Sequence, residues 1–356
     1  MHINKYIINT SFLLNKYTHR VKFFMFDFDN YVLQLTTPLI LKKFSLIAII
    51  IVSHLGYAQQ LPHLLFYKEN INYFNPAVTG MNGSLIQFNH RSQWMSIPDA
   101  PQTTSIRYNS TTKENASWGI MAEADQVFIE NRIAISGDYS YQIKVDEIST
   151  LNFGLRVGLY NSYFELDNLN RLTSEPNEIL NAVSPYIGNI FGAGIHYNRV
   201  GENTNYFLSF SSPNLVNFRR FKTTYSIYTE ARDQKHFYTV GGLNYKTGNI
   251  NLIPHFLIRS VSNAPTLYSG MLGIGYMDNY ELGFGITNNS YMSGYLAIKN
   301  FNSFNINAGY EFPTRLDDTA LRAGTVEINL TYKISNGESF TTEQEIEAEI
   351  EQKSVE

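Results

Sequence analysis

The residues able to do chemistry in this sequence do not have the spacing of a catalytic or metal-binding motif. The eight histidines are dispersed, and none has the close spacing at which zinc ligands occur. There is no cysteine, which excludes thiolate metal sites, cysteine nucleophiles and disulfides. Gly273-Ile274-Gly275 lacks the later glycine of a dinucleotide-binding loop. We therefore expect no catalytic residues, no bound metal and no cofactor, and we expect that the protein is not an enzyme.

A hydrolase is the enzymatic alternative that these residues leave open, because serine, histidine and an acid can meet in space from distant positions. The sequence has no Gly-x-Ser-x-Gly elbow to support it. Such an enzyme would lose activity when one serine and one histidine were replaced. The acidic pairs, Asp125 with Glu130 and Asp317 with Asp318, lie near turns, where we interpret them as solvated carboxylates.

The composition points to a membrane barrel. Charged residues make up 16% of the chain, against roughly 25% in soluble domains. Aromatic residues reach 14%, yet the mean hydropathy is slightly negative, unlike that of a bundle of apolar helices. A barrel accommodates this mixture because lipid-facing apolar residues alternate with lumen-facing polar ones. The net charge of −4 and the lack of a basic block argue against a nucleic-acid partner.

Apolar and polar residues alternate along most of residues 83–334. In residues 151–159, for example, every odd position is apolar and every even position is polar or glycine. This period of two predicts about fourteen strands, near residues 83–92, 102–110, 117–125, 131–145, 149–163, 189–199, 204–211, 236–247, 249–260, 267–277, 280–288, 291–299, 303–313 and 325–334. Most have the length of tilted membrane strands, about 9–11 residues. We predict an all-β fold, an outer-membrane β-barrel of about 14 antiparallel strands, because closure leaves no unpaired edge in lipid.

The predicted connections are of two lengths. Short turns are expected at residues 247–249, 277–279, 288–290 and 300–302, and long connections at residues 168–187 and 212–235. In outer-membrane barrels short turns face the periplasm and long loops face outward. The long connections are therefore candidates for surface contacts.

Aromatic residues lie near predicted strand ends or on apolar faces, where they fit girdles at the two membrane interfaces. They include Trp94, Trp118, Tyr139, Tyr141, Tyr160, Tyr276 and Tyr310. Glycines within strands, such as Gly273 and Gly283, fit a crowded inner wall, with a ligand passage through the lumen as the alternative.

The two ends of the chain differ from the barrel segment. Lys42 and Lys43 precede the apolar run 44–55, and Gly56 and Ala58 follow it, which is the layout of a secretory signal peptide. Residues 1–58 are expected to be an N-terminal extension and signal peptide, and residues 59–334 the barrel. Residues 335–356, in which glutamate recurs at every second position from 343 to 351, are expected to be a flexible acidic tail that stays solvated or docks to a basic partner.

A series of short motifs begins just after the predicted cleavage site. It comprises Asn75-Pro76-Ala77 with Gly80, Arg91-Ser92-Gln93-Trp94, Ala100-Pro101-Gln102-Thr103, Tyr139-Ser140-Tyr141, Leu151-Asn152-Phe153-Gly154-Leu155, and Ser211 with Pro213-Asn214-Leu215. Prolines favour turns, so the first motif predicts a turn before the first strand and the third predicts the turn to the second. In order and spacing the series resembles the PorP/SprF family of membrane proteins linked to type IX secretion, over nearly all of residues 59–334.

Three features depart from the pattern of that family. Tyr310-Glu311-Phe312 replaces a paired tyrosine and aspartate near the penultimate strand. Thr325-Val326 stands where many members have Ser-His before the closing glutamate. The acidic tail is additional.

The resemblance implies a bacterial outer-membrane protein, exported by a signal peptide, that supports secretion or cell-surface anchoring of adhesins with a C-terminal sorting domain, some of them used in gliding motility. The implied partners are such an adhesin, type IX translocon components and outer-membrane lipid. A passive or substrate-specific channel is the alternative that the strand pattern fits equally well. The candidate residues for binding a partner, or for shaping the first hairpin near the barrel mouth, are Asn75, Pro76, Arg91, Gln93, Trp94 and Pro101.

Overall fold

The computed structural model describes the barrel region of the chain. The described residues are 63–95, 97–111, 115–164, 186–216, 219–224, 227–232, 234–262, 264–289, 291–314 and 323–334, with side chains omitted for residues 164 and 219–232. The predicted signal peptide and acidic tail lie outside these residues.

Strands account for most of the described chain. They are β1 (Leu85–Ser92), β2 (Gln102–Thr111), β3 (Ala116–Val127), β4 (Glu130–Lys144), β5 (Ser149–Phe164), β6 (Tyr186–Val200), β7 (Thr204–Ser212), β8 (Arg219–Thr224), β9 (Ile227–Arg232), β10 (His236–Thr247), β11 (Ile250–Val261), β12 (Leu267–Tyr276), β13 (Tyr280–Thr287), β14 (Tyr291–Phe301), β15 (Phe304–Pro313) and β16 (Thr325–Lys333). Two short helices precede them, α1 (Ile71–Phe74) and a 3₁₀ helix (Pro76–Val78).

Within the described part of the chain, fourteen of these strands form one closed antiparallel barrel. Each strand pairs with its sequence neighbours, β7 pairs with β10, and β1 pairs with β16 to close the wall. The predicted fold class is confirmed. The remaining two strands, β8 and β9, form a separate two-stranded sheet in the connection between β7 and β10, where the sequence lacks the alternation that indicated the wall strands.

The wall carries its apolar residues on the outside. Ile135 and Leu155 are 60% and 62% exposed, whereas the neighbouring Ser136 and Arg156 are buried inside the barrel. Membrane barrels have this inverted pattern because lipid solvates the outer face. Among the described residues, no helix is long and apolar enough to cross a membrane.

The two ends of the barrel have different connections. At one end the strands are joined by residues 112–115, 145–148, 201–203, 248–249, 277–279 and 302–303, none longer than four residues. We call this the short-turn end. The opposite, long-loop end carries the connections 93–101, 128–129, 165–185, 213–235, 262–266, 288–290 and 314–324. The short turn predicted at 288–290 therefore lies at the long-loop end, apart from the other three.

Residues 63–84 lie inside the barrel, and we call them the luminal segment. The side chains of Leu64, Phe66, Tyr67 and Phe74 are almost fully buried. The segment contacts strands on every side of the wall, as the hydrogen bonds below show. It begins beside Glu311 and Glu327, near the long-loop end, and it ends at the start of β1, at the short-turn end.

Candidate functional site

A charged cluster ties the start of the luminal segment to the closing strands. Arg91 on β1 pairs with Glu327 on β16, with Nη1–Oε2 at 3.0 Å, and with Glu311 on β15. Glu327 is fully buried, and it accepts hydrogen bonds from the backbone N–H of Leu65 at 2.7 Å and of Phe66 at 3.3 Å. The ion pair and the backbone contacts satisfy a carboxylate that would otherwise be costly to bury.

A second charged pair holds the middle of the luminal segment. Arg156 on β5 makes a bidentate pair with Asp138 on β4, with both N–O distances at 2.7 Å. The same guanidinium donates to the carbonyl oxygens of Tyr73 at 2.7 Å and Asn72 at 2.6 Å. Carbonyls at the end of a helix lack intrahelical partners, so Arg156 both caps α1 and fixes it to the wall.

Asn75 and Pro76 lie against the wall opposite the first hairpin. The Asn75 side chain accepts from Ala77 N at 2.9 Å and donates to Ile195 O at 3.0 Å and Ser209 Oγ at 2.6 Å. Ser140 Oγ donates to Ala77 O at 2.8 Å. The predicted turn is thus a 3₁₀ helix inside the lumen, docked on β4, β5, β6 and β7.

Two glycines allow this close approach. A Cβ atom at Gly154 would overlap the backbone of Pro76 and Ala77, and one at Gly194 would overlap the Asn75 side chain. The glycine in the Leu151-Asn152-Phe153-Gly154-Leu155 motif therefore accommodates the Asn75-Pro76-Ala77 motif.

Apolar contacts fill the remaining side of the lumen. Phe74 stacks on Tyr238 with ring centroids 4.5 Å apart. Phe66 meets Tyr295 edge to face at 5.6 Å. Tyr67 Oη donates to His255 O at 3.1 Å. The inner face of β10–β14 thus supplies aromatic and aliphatic partners for the luminal segment, such as Val240, Leu257 and Met271.

The other predicted candidates lie at the long-loop end or in the wall. Gln93 N donates to Pro101 O at 2.9 Å, which closes the connection between β1 and β2. Trp94 has a φ of 46°, and its Nε1 donates to Tyr291 Oη at 3.2 Å. These two residues and Pro101 lie together near the first hairpin, Arg91 faces the lumen, and Asn75 and Pro76 lie across the lumen.

A recess lies between the luminal segment and the long-loop end, and we call it the mouth recess. Its volume is about 190 Å³, and Tyr73 lies among its lining residues. Tyr160 and Tyr186 meet edge to face at 5.9 Å in its wall. Arg132 lies over the Tyr160 ring, 4.5 Å from its centroid, and 3.3 Å from Glu123. The recess therefore combines an aromatic wall with paired charges.

The mouth recess also changes the interpretation of two sequence features. Tyr160 is 3% exposed and faces the lumen, so its assignment to a lipid-facing girdle is wrong; Gly188 leaves space for its ring. Trp118, Tyr139 and Tyr276 are outward and exposed, as predicted. Pro213 and Asn214 of the last family-like motif line the recess.

Sequence reasoning missed Glu327, Asp138 and Arg156 as interior residues of importance. The alternation puts all three on the polar faces of their strands, but barrel interiors are generally polar, so this position did not mark them as important. In the described ranges, no group of three or more His, Cys, Asp or Glu side chains is placed to hold a metal ion. What the described interior side chains do is form buried ion pairs and hydrogen-bond the backbone of the luminal segment.

Residues 56–332 match the profile of the type IX secretion system membrane protein family PorP/SprF. A search of curated proteins found no match. Similar solved structures include a KdgM porin, at 9% identity over 70% of this chain and 99% of the porin, with a TM-score of 0.37.

Two further similar structures are a toluene transporter and an outer membrane protein. The Pseudomonas putida toluene transporter TodX is 7% identical over 74% of this chain and 93% of its own, with a TM-score of 0.44. Omp33 of Acinetobacter baumannii is 7% identical over 72% of this chain and 100% of its own, with a TM-score of 0.39.

The family match covers well over half of the chain. Together with the apolar outer wall, it places the protein in the outer membrane. The chain belongs to the PorP/SprF family of type IX secretion system membrane proteins.

Proposed function

We propose that this barrel supports secretion or cell-surface anchoring of adhesins that carry a C-terminal sorting domain, including adhesins used in gliding motility. In this role it works beside components of the type IX translocon, as a closed scaffold that holds its client by shape, hydrogen bonds and charge. It carries out no bond chemistry. Residues 1–58 serve as extension and export signal, and residues 335–356 as an acidic tail that follows the last strand.

The filled lumen is the observation that carries the proposal. The luminal segment is held by Glu327 at its start, and in its middle by Arg156 and, through Asn75, by Ser209. These contacts come from opposite parts of the wall, so the segment spans the interior. A barrel plugged in this way is suited to holding a partner at its rim, whereas a passive channel needs a continuous passage.

The long-loop end is the surface that we assign to the client. By analogy with other outer-membrane barrels, long loops face outward. The mouth recess lies at this end, and its wall includes the half-buried Tyr186 packed on the buried Tyr160, beside paired charges. Aromatic residues and arginine are enriched at the centres of protein interfaces, and here they stand on rigid strands.

Affinity purification tests the proposal directly. The tagged barrel is isolated from native outer membrane in mild detergent, and the co-purified proteins are identified by mass spectrometry. We expect a large secreted protein with a C-terminal sorting domain, or translocon components, in stoichiometric amounts. A barrel of the same tag and expression level from an unrelated family is the control. A barrel that purifies alone would contradict the proposal and favour the channel.

A further inference from the structure

A second recess opens at the short-turn end, between the luminal segment and the wall, and we call it the basic recess. Its volume is about 460 Å³. Four basic residues and one acidic residue line it: Lys68, Arg107, Lys299, Lys333 and Glu69. Lys68 pairs with Glu69 and with the buried Glu281, and Lys299 also pairs with Glu281. The four cations still outnumber these two carboxylates, so the recess carries an excess of positive charge.

Arg107 is the most unusual of these residues. It lies on β2, faces the lumen and is 3% exposed. Its Nη1 donates to Gln87 Oε1 at 2.8 Å and its Nη2 lies 3.5 Å from Met121 Sδ. No ion pair of the described residues includes Arg107. A buried guanidinium usually has a carboxylate or phosphate partner, and this one contacts neutral groups.

Further buried polar atoms in the basic recess lack hydrogen-bond partners within the described part of the chain. They are both polar side-chain atoms of Asn72, the Oδ1 atom of Asn109 and the Nε atom of Arg107. All three residues are at most 5% exposed and line the recess. Buried polar groups are normally paired, so the arrangement indicates a polar ligand with hydrogen-bond donors and acceptors as well as negative charge.

We propose that the basic recess is an anion-binding site and that its occupant is the acidic C-terminal segment of the same chain, residues 335–356. That segment contains seven glutamates and one lysine. It begins directly after Lys333 and Ile334, which themselves line the recess. A peptide also supplies the backbone N–H and C=O groups that Asn72 and Asn109 need.

The connection is short enough for this contact. Glu338 follows Ile334 by four residues, a reach of about 13 Å for an extended chain. A group on so short a tether has an effective concentration in the millimolar range, so weak ion pairs suffice to hold it. Docking there would place the tail against Asn72 and Lys68 of the luminal segment.

Disulfide trapping tests this proposal, because the chain has no cysteine of its own. The full barrel carries Asn82→Cys in the recess lining and Ser339→Cys beside Glu338. A matched variant pairs Ser339→Cys with Asn279→Cys, an exposed turn residue of the same end outside the recess. We expect the recess pair to form an intrachain disulfide at least about tenfold faster than the control pair, because docking concentrates the tail cysteine there.

Charge dependence separates docking from mere tethering. Replacing Glu338, Glu343 and Glu345 by glutamine leaves the tether unchanged and cannot disturb the wall, and it should remove most of the difference between the two rates. Raising the salt to 1 M, where the screening length is about 3 Å, should act in the same direction. Equal rates of disulfide formation for the two pairs would overturn the proposal. So would a recess-pair rate that is unchanged both by the glutamate substitutions and by 1 M salt.

Discussion

Arg91 and Glu327 are direct cross-strand partners at the seam where β1 and β16 close the barrel. The same carboxylate accepts the backbone N–H groups of Leu65 and Phe66. One buried residue thus joins barrel closure to the anchoring of the luminal segment, so disturbing it should affect both.

Replacing Glu327 by glutamine should destabilise the folded barrel. The substitution leaves Arg91 with Glu311 alone, and breaking a buried pair costs about 3–5 kcal/mol; we expect the lower end because Glu311 remains. Urea unfolding in detergent micelles, followed by fluorescence of the two tryptophans, measures the free energy of unfolding. Lys246→Gln is the control, since the pair of Lys246 with Asp278 is exposed. Its loss should lower the free energy of unfolding by less than about 1 kcal/mol. Equal effects of the two substitutions would refute this.

Replacing Asn75 by alanine should loosen the luminal segment without opening the wall. Three hydrogen bonds are lost, one of them the cap of the 3₁₀ helix, and caps alone are worth about 0.5–2 kcal/mol. Hydrogen exchange of residues 63–84 should accelerate while exchange of the strand amides stays unchanged. Asn203→Ala, at an exposed turn, should leave both rates unaltered. Uniform acceleration through the strands would contradict the assignment of Asn75 to the segment.

Replacing Gly154 by alanine should displace the 3₁₀ helix. The added methyl group overlaps the Pro76–Ala77 backbone, and overpacking costs about 1–3 kcal/mol. Gly270→Ala on β12 is the matched control, because a Cβ there meets nothing within 4 Å. The same unfolding measurement should show a loss for the first variant and little change for the second. If Gly154→Ala is as stable as the wild type, the close approach is not a constraint.

Replacing Tyr186 by alanine should weaken client binding if the mouth recess is the docking surface. The ring forms part of the recess wall with Tyr160, and interface aromatics commonly contribute 2 kcal/mol or more, roughly thirtyfold in affinity. The yield of co-purified client relative to barrel is the measurement. Tyr280→Ala, on the outer wall at the short-turn end, should leave that ratio unchanged. Loss of client with Tyr280→Ala but not with Tyr186→Ala would show that the mouth recess is not the docking surface.

The wall could be predicted from the sequence because the alternation of apolar and polar residues that marks a membrane strand lies within the strand's own residues. Alternation along 151–159 was sufficient to assign both faces of β5, and each neighbouring strand repeats the pattern. The sheet of β8 and β9 was missed because its short strands have no such pattern.

The interior could not be predicted in the same way because its partners are far apart in the chain. Asn75 is 134 residues from Ser209, and Leu65 is 262 residues from Glu327. Asn75-Pro76-Ala77 therefore predicted a turn, without any sign that it would dock inside the barrel. Tyr160 was misassigned for a different reason. It shares the inner face of β5 with Asn152 and Arg156, so the alternation itself placed it in the lumen, and its aromatic type was given more weight than its position.

Ion conductance of the purified barrel in a planar lipid bilayer tests the central claim, that the luminal segment closes the barrel. We expect no stable conducting steps for the wild type and clear steps once residues 63–78 are deleted, with the Asn75→Ala variant alternating between closed and conducting levels. Circular dichroism of the deletion variant verifies that its strands still form. Steady wild-type conductance equal to that of the deletion variant would contradict the account and identify the protein as an open channel.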